Sequence, residues 1–128
     1  MQAVLVVDDD VVLCQIMART LAEEGYHVFT AGCGEDALVM ACQLGGQLGL
    51  VVTDIRMPEM DGVELASHLA GLNPAPRILF VSGYGPAVGS DLPAPLLPKP
   101  FSPQQLLSRV RAMIGLPAMA RASGPQSL

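Results

Sequence analysis

The chain has 128 residues, of which 51% are apolar and 15% are charged, and its formal net charge is −5. This length predicts one domain with enough apolar side chains to build a core. The mild acidic excess, without a basic cluster, argues against nucleic-acid binding by this chain.

Cysteine usage and hydropathy bear on the compartment. Cys14, Cys33 and Cys42 form no C-x-x-C pair, so we expect reduced thiols in a cytoplasmic protein. The first apolar run lacks a basic lead-in, so a signal peptide is not expected. The uncharged stretch 37–53 contains three glycines and is too short for a membrane span, so we expect no membrane contact by this chain.

Short apolar runs alternate with segments of helical spacing along the chain. The predicted strands are residues 3–7, 27–30, 50–53, 77–81 and 94–98. Such alternation predicts an α/β protein with a doubly wound, five-stranded parallel sheet and helices on both faces. Near-continuous apolar strands fit a sheet that is buried on both faces.

Helix starts are marked by polar residues. Asp10 is expected to cap the first helix, whereas Cys33 or Gly34 is a poorer start for the second. Two pairs have the spacing of a capping box, Asp61 with Glu64 and Ser102 with Gln105.

The stretch 82–101 is rich in proline and glycine, so we expect a short or irregular fourth helix between Gly85 and Leu92. Residues 116–128 read as a flexible tail or linker stub after a domain that covers 1–115.

Polar residues follow several predicted strands. Asp8 and Asp9 follow the first strand, Asp54 the third, Ser82 the fourth and Lys99 the fifth. In a doubly wound sheet the carboxyl ends of the strands form the ligand-binding edge. The carboxylates would therefore meet in a site for a hard cation such as Mg²⁺.

Four motifs make this pattern specific: "VVDDD", "TDIRMPEMDG", "VSGY" and "PKPF", in this order. Together they resemble the receiver domain of two-component response regulators, over residues 2 to 115. The resemblance implies a flavodoxin-like sheet of strand order 2-1-3-4-5. "VSGYG" with a shortened fourth helix is also similar to receivers attached to hybrid histidine kinases.

The resemblance implies that Asp54 accepts a phosphoryl group from a phosphohistidine on a histidine kinase or phosphotransfer protein. Ser82 would donate a hydrogen bond to the phosphoryl group, and Lys99 would pair with another of its oxygens. The Lys99–Pro100 bond is expected to be cis and to aim the lysine inward. Such a receiver is a signalling module that catalyses its own phosphorylation and slow dephosphorylation, rather than an enzyme acting on other substrates.

The resemblance also implies the metal ligands. Asp9 and Asp54 would bind Mg²⁺ directly, together with the backbone carbonyl of Arg56. Asp8 would contact the ion through water.

The chain departs from the usual receiver pattern in two places. Leu96 stands where receivers usually have Tyr or Phe, so the aromatic rotamer switch is expected to be absent or altered. With the shortened fourth connection, this argues against the standard receiver dimer.

Arg56 and Tyr84 would flank the path of attacking water and tune the lifetime of the phosphoryl group.

Two other functions remain open at this point. "DDDVVL" partly resembles the start of haloacid-dehalogenase-type phosphatases, with Asp8 as nucleophile and Asp10 as acid. The second alternative is a pseudo-receiver, which binds partners without being phosphorylated. The residue that becomes phosphorylated, Asp54 or Asp8, discriminates between a receiver and a phosphatase.

Overall fold

The computed structural model describes residues 2–83 and 92–117. In this part of the chain, five strands form one parallel sheet in the order β2-β1-β3-β4-β5. The strands are β1 Ala3–Val7, β2 His27–Ala31, β3 Leu48–Asp54, β4 Arg77–Ser82 and β5 Leu96–Pro98. The predicted fold class and strand order are therefore confirmed.

Four α-helices connect or follow the described strands. They are α1 Val11–Glu23, α2 Gly34–Leu44, α3 Gly62–Leu69 and α4 Pro103–Ile114, with a short 3₁₀ turn at Gly45–Gln47. The expected fourth-connection helix falls on residues 84–91, outside the described residues, and so does most of the expected tail.

Side-chain caps begin three of these helices as expected. The Asp10 carboxylate accepts a hydrogen bond from the amide of Leu13. Capping boxes start α3 at Asp61 and α4 at Ser102. These bonds satisfy amides that have no partner within the helix. Cys33 precedes α2 without a side-chain cap bond, in line with its poor suitability as a cap.

The two faces of the sheet carry separate cores because alternate residues of a strand point to opposite faces. In β1, Val4 and Val6 pack with α1 and α4, whereas Leu5 and Val7 pack with α2 and α3. All four side chains are fully buried. Helices therefore cover both faces and leave the carboxyl edge of the sheet for polar residues.

The end of α4 is tied to the corner between α1 and β2. The Tyr26 hydroxyl donates to the carbonyl of Gly115 over 2.7 Å. Arg111 pairs with Glu24 at 3.0 Å. These contacts hold the end of α4 against the α1–β2 corner, on the same face of the sheet.

Three further sequence expectations can be compared with the described residues. All three cysteines lie in this part and form no disulfide. None of the helices in residues 2–83 and 92–117 has the length and apolar character needed to cross a bilayer. The Lys99–Pro100 peptide is cis, as expected, and so is Asn73–Pro74.

Candidate functional site

The acidic cluster forms where β1 and β3 end side by side. Val7 pairs with Thr53 in the parallel register, so Asp8 and Asp54 follow at the same level of the sheet. One carboxylate oxygen from each of Asp8, Asp9 and Asp54 lies within 4.8 Å of the others. The expected convergence of these three acids is therefore observed.

The three consecutive aspartates have different surroundings. Asp8 is buried, and one of its oxygens accepts the amide of Asp10 at 2.9 Å. Asp9 is exposed at the mouth of the cluster. Asp10 turns to the start of α1 and caps it. Only the first two acids of the run therefore join Asp54.

Lys99 lies among these carboxylates, directly after β5. Its ammonium is 3.4 Å from Oδ2 of Asp8 and 3.5 Å from Oδ2 of Asp54. Its backbone amide donates to the carbonyl of Ser82 over 2.8 Å and fixes the start of this loop on β4. The ammonium offsets the repulsion between two acids that lie in a partly water-excluded site.

The surroundings of Asp54 perturb the ionisation of its carboxyl group. Burial raises its pKa above the ordinary value, and the charge of Asp8 raises it further. The ammonium of Lys99 and the amide of Ile55, which donates to Oδ1 over 2.8 Å, both lower this pKa. The net direction is upward, so the surroundings of Asp54 favour the neutral form of its carboxyl group more than water does.

Ser82 and Arg56 occupy different positions at the same edge. Ser82 ends β4 and is buried, one residue beyond the pair formed by Asp54 and Val81. Arg56 is the second residue of the loop after β3, and its side chain is exposed. Leu96 is partly buried and packs against the cluster that contains Phe80. Tyr84 lies outside the described residues.

The loop between β3 and α3 has a constrained backbone. The amide of Met60 donates to the carbonyl of Pro58 over 2.8 Å, and Glu59 between them has φ 68°. This bond and dihedral are those of a γ-turn. The loop is closed by the amide of Gly62, which donates to the carbonyl of Ile55 over 2.8 Å.

Sequence reasoning assigned no role to Gly62, although a signal was present. Glycine is a poor helix former, and Gly62 is the first residue of α3. A glycine at such a position indicates a requirement for space or for unusual backbone geometry.

The acidic cluster suits Mg²⁺ in the chemistry of its donors. The donors are carboxylate oxygens, which this ion prefers. Octahedral Mg²⁺ with ligands at about 2.0–2.1 Å needs ligand oxygens roughly 3–4 Å apart. The oxygens of Asp9 and Asp54, the two carboxylates expected to bind the ion directly, lie within 4.8 Å of each other and need to approach only slightly to meet this requirement.

Comparisons with known proteins bear on the family of this chain. A family model described as "Response regulator receiver domain" matches residues 4–111. The sensor kinase CckA of Brucella abortus is 40% identical over 116 residues, which are 87% of this chain and 12% of that protein. The response regulator receiver protein CpdR of the same organism is 32% identical over 89% of this chain and 98% of its own length.

Solved structures give the same result. The crystal structure of the receiver domain from the hybrid histidine kinase CckA has a TM-score of 0.77 and 31% identity, covering 88% of this chain and 98% of that one. The chemotaxis response regulator CheY4 of Vibrio cholerae has a TM-score of 0.80 and 28% identity, covering 89% of this chain and 99% of its own. The chain thus matches whole receivers, but only part of the sensor kinase.

Proposed function

Because this chain belongs to the receiver domain family of response regulators, a signalling module of two-component systems, we propose that Asp54 is its phosphoryl acceptor. The donor is a phosphohistidine on a histidine kinase or phosphotransfer protein, and the reaction uses Mg²⁺. The phosphoryl group then changes the surface that the domain presents to its partners.

One observation carries this proposal. The carboxylates of Asp8, Asp9 and Asp54 converge within 4.8 Å, with the ammonium of Lys99 3.4 Å from Asp8 and 3.5 Å from Asp54. Phosphoryl transfer requires a positioned nucleophile and positive charge around the transferred oxygens, and little other help from the protein. This arrangement supplies the nucleophile, one fixed cation and the ligands for a second.

Each residue has a defined role in the proposed reaction. A carboxylate oxygen of Asp54 attacks phosphorus, and the bond between phosphorus and the donor nitrogen breaks as the new bond forms. Lys99 leaves its ion pair with Asp54 and pairs with a phosphoryl oxygen. Ser82, at the end of β4, donates a hydrogen bond to another.

The metal ligands of the proposal are Asp9, Asp54 and the backbone carbonyl of Arg56, with Asp8 acting through water. When bound, Mg²⁺ would neutralise the charge that builds up on the phosphoryl oxygens. The carboxylate oxygens of Asp8 and Asp9 beside Asp54 supply the kind of ligand that draws a divalent cation to this edge.

Aliphatic side chains on α1 support a protein as the donor. Val11, Val12 and Ile16 are 64%, 66% and 54% exposed. Val11 and Val12 directly follow Asp10, and Ile16 lies about one turn further along α1, so a donor that reaches Asp54 past this helix would cover them. Exposed apolar groups beside a reactive site are typical of a surface that meets a partner.

The relatives leave the context of this receiver open. A regulator such as CpdR has nearly the length of this chain, whereas CckA is several times longer. The proposed transfer onto Asp54 is the same in either context.

The direct test is the intact mass of the protein after incubation with Mg²⁺ and either acetyl phosphate or phosphoramidate. We expect one phosphoryl adduct on the wild type and none on Asp54→Ala. Asp36→Ala, which removes an exposed acid on α2, is the matched control and should keep the adduct.

Other outcomes would select the alternatives. An adduct that persists in Asp54→Ala but disappears in Asp8→Ala would support a phosphatase-like nucleophile at Asp8. A wild-type protein that neither binds Mg²⁺ nor forms an adduct would be a pseudo-receiver.

A further inference from the structure

We propose that Gly62 is a positioning residue for the acceptor site, because its lack of a side chain lets α3 start directly against the backbone of Asp54. The inference rests on the function proposed above for Asp54 and its metal ligands. It adds a residue that makes no contact with metal or phosphoryl group itself.

The contact between Gly62 and the acceptor residue is unusually close. A Cβ atom added at Gly62 would overlap the carbonyl oxygen of Asp54 and lie 3.0 Å from the Cα of Ile55. Both neighbours are backbone atoms, so no side-chain rotation can relieve the overlap. An alanine at this position must displace either the end of β3 or the start of α3.

A need for glycine often reflects a positive φ angle, but Gly62 is not among the residues with positive φ in the described part of the chain. Gly25, Gly45 and Gly115 are the glycines with that conformation there. The requirement at Gly62 is therefore one of space beside Asp54. This separates it from glycines that serve only to turn the chain.

Hydrogen bonds connect this contact to the reactive carboxylate. The amide of Gly62 donates to the carbonyl of Ile55, and the amide of Ile55 donates to Oδ1 of Asp54, both over 2.8 Å. Ile55 therefore accepts a hydrogen bond from the first residue of α3 through its carbonyl and orients the Asp54 carboxylate through its amide. Arg56, whose carbonyl is a proposed metal ligand, follows Ile55 directly.

Small shifts of these groups matter because Mg²⁺ requires near-ideal octahedral geometry. Changes in residues that orient metal ligands typically weaken metal binding by about 10–100-fold. Displacement of the Asp54–Ile55 peptide would move one carboxylate ligand and the neighbouring carbonyl ligand together.

The test compares Mg²⁺ dissociation constants of the unphosphorylated wild type and Gly62→Ala by titration calorimetry. We expect the constant to rise by about tenfold or more in Gly62→Ala. Phosphorylation by acetyl phosphate should need correspondingly more Mg²⁺ to reach its half-maximal rate.

Two controls separate positioning from a general loss of stability. Val110→Ala truncates a fully buried side chain on α4, away from the β3–α3 loop, and should lower stability while keeping the dissociation constant within about twofold. Gly46→Ala adds a methyl group at a site where the nearest atom is 3.8 Å away, on Pro74, and should change neither quantity.

Gly62→Ala with the Mg²⁺ affinity of the wild type would overturn the inference, and so would an equal loss in Val110→Ala. Failure of the underlying function gives a different result, because the wild type itself would then not bind Mg²⁺ or form the Asp54 adduct.

A measurement on the wild type covers the case in which Gly62→Ala does not fold. Mg²⁺ should slow hydrogen exchange of the Gly62 amide more than that of Gly115, whose amide donates to Arg111 at the far end of α4. Equal effects on both amides would contradict the coupling between Gly62 and the metal site.

Discussion

At the residue scale, the surroundings of Asp54 disfavour the charged form of its carboxyl group. Its carboxylate lies beside the buried Asp8, and burial together with that charge raises its pKa. Lys99 offsets this only in part, since the net direction remains upward. A further cation beside Asp54 would therefore favour the charged form of its carboxyl group.

We predict that Asp54→Asn raises the free energy of unfolding at neutral pH without Mg²⁺. An acid with a raised pKa in the folded state binds its proton more tightly there than in the unfolded chain. Below the ordinary pKa of an aspartate, residue 54 is protonated in both the folded and the unfolded protein, so its carboxyl group does not lower the free energy of unfolding. As the pH rises through the ordinary and then the raised pKa, the free energy of unfolding of the wild type falls. Asp54→Asn has no carboxyl group at this position, so it escapes this loss.

Urea unfolding at several pH values measures this difference. The midpoint of Asp54→Asn should exceed that of the wild type at pH 7, and the gap should close as the pH falls towards the ordinary pKa of an aspartate. Asp36→Asn, on the exposed side of α2, should give no increase. A gap that widens on acidification would contradict the assigned direction.

Arg56 has a long, exposed side chain two residues after the acceptor. We predict that Arg56→Asn hydrolyses its phosphoryl group faster, because the shorter side chain shields the group less from water. A change of up to about tenfold corresponds to about 1.4 kcal/mol in activation free energy. Decay of the intact-mass adduct after donor removal measures the rate, and equal decay in both proteins would exclude this role.

At the scale of elements, capping residues fix the positions at which the helices begin. The hydroxyl of Ser102 accepts the amide of Gln105 at 3.1 Å, and the Gln105 side chain accepts the amide of Ser102 at 2.7 Å. Pro103 occupies the first position of α4, where a missing amide has no cost. The helix after the Lys99 loop therefore begins at a defined residue.

We predict that Ser102→Ala lowers the free energy of unfolding by about 0.5–2 kcal/mol, because an amide at the start of α4 loses its partner. Denaturant unfolding measures the change. Ser108→Ala, on an exposed position of the same helix, is the matched control and should be neutral or slightly stabilising. Equal effects of the two substitutions would show that the capping box contributes nothing.

At the scale of the whole molecule, the acidic edge and the two cores are coupled through β1 and β3. Both strands are central in the sheet and buried on both faces; β3 ends at Asp54, and Asp8 directly follows β1. A ligand that binds only the folded cluster must therefore stabilise the entire domain.

We predict that Mg²⁺ raises the free energy of unfolding, by about 2.7 kcal/mol at a concentration 100 times its dissociation constant. Thermal or urea unfolding with Mg²⁺ or with a chelator measures the effect. Asp9→Asn removes a proposed direct ligand and should reduce the gain. Identical midpoints with and without Mg²⁺ in the wild type would contradict the proposed metal site.

Most of the fold could be predicted from local patterns. β1 has the predicted bounds, and the caps at Asp10, Asp61 and Ser102 form as predicted, because they depend on neighbours within three residues. β3 begins two residues earlier than predicted, at Leu48. Its first residue pairs with Ala3, and no local pattern reports such a distant partner.

For the site, the sequence by itself determined which polar residues share the carboxyl edge, because strand ends are read from apolar runs and parallel strands end together. The tertiary structure alone decided the contacts between distant residues. Lys99 pairs with Asp8 as well as with Asp54, and Gly62 touches the backbone of Asp54. These contacts depend on where separate loops return to the sheet, which is set by packing across the whole domain.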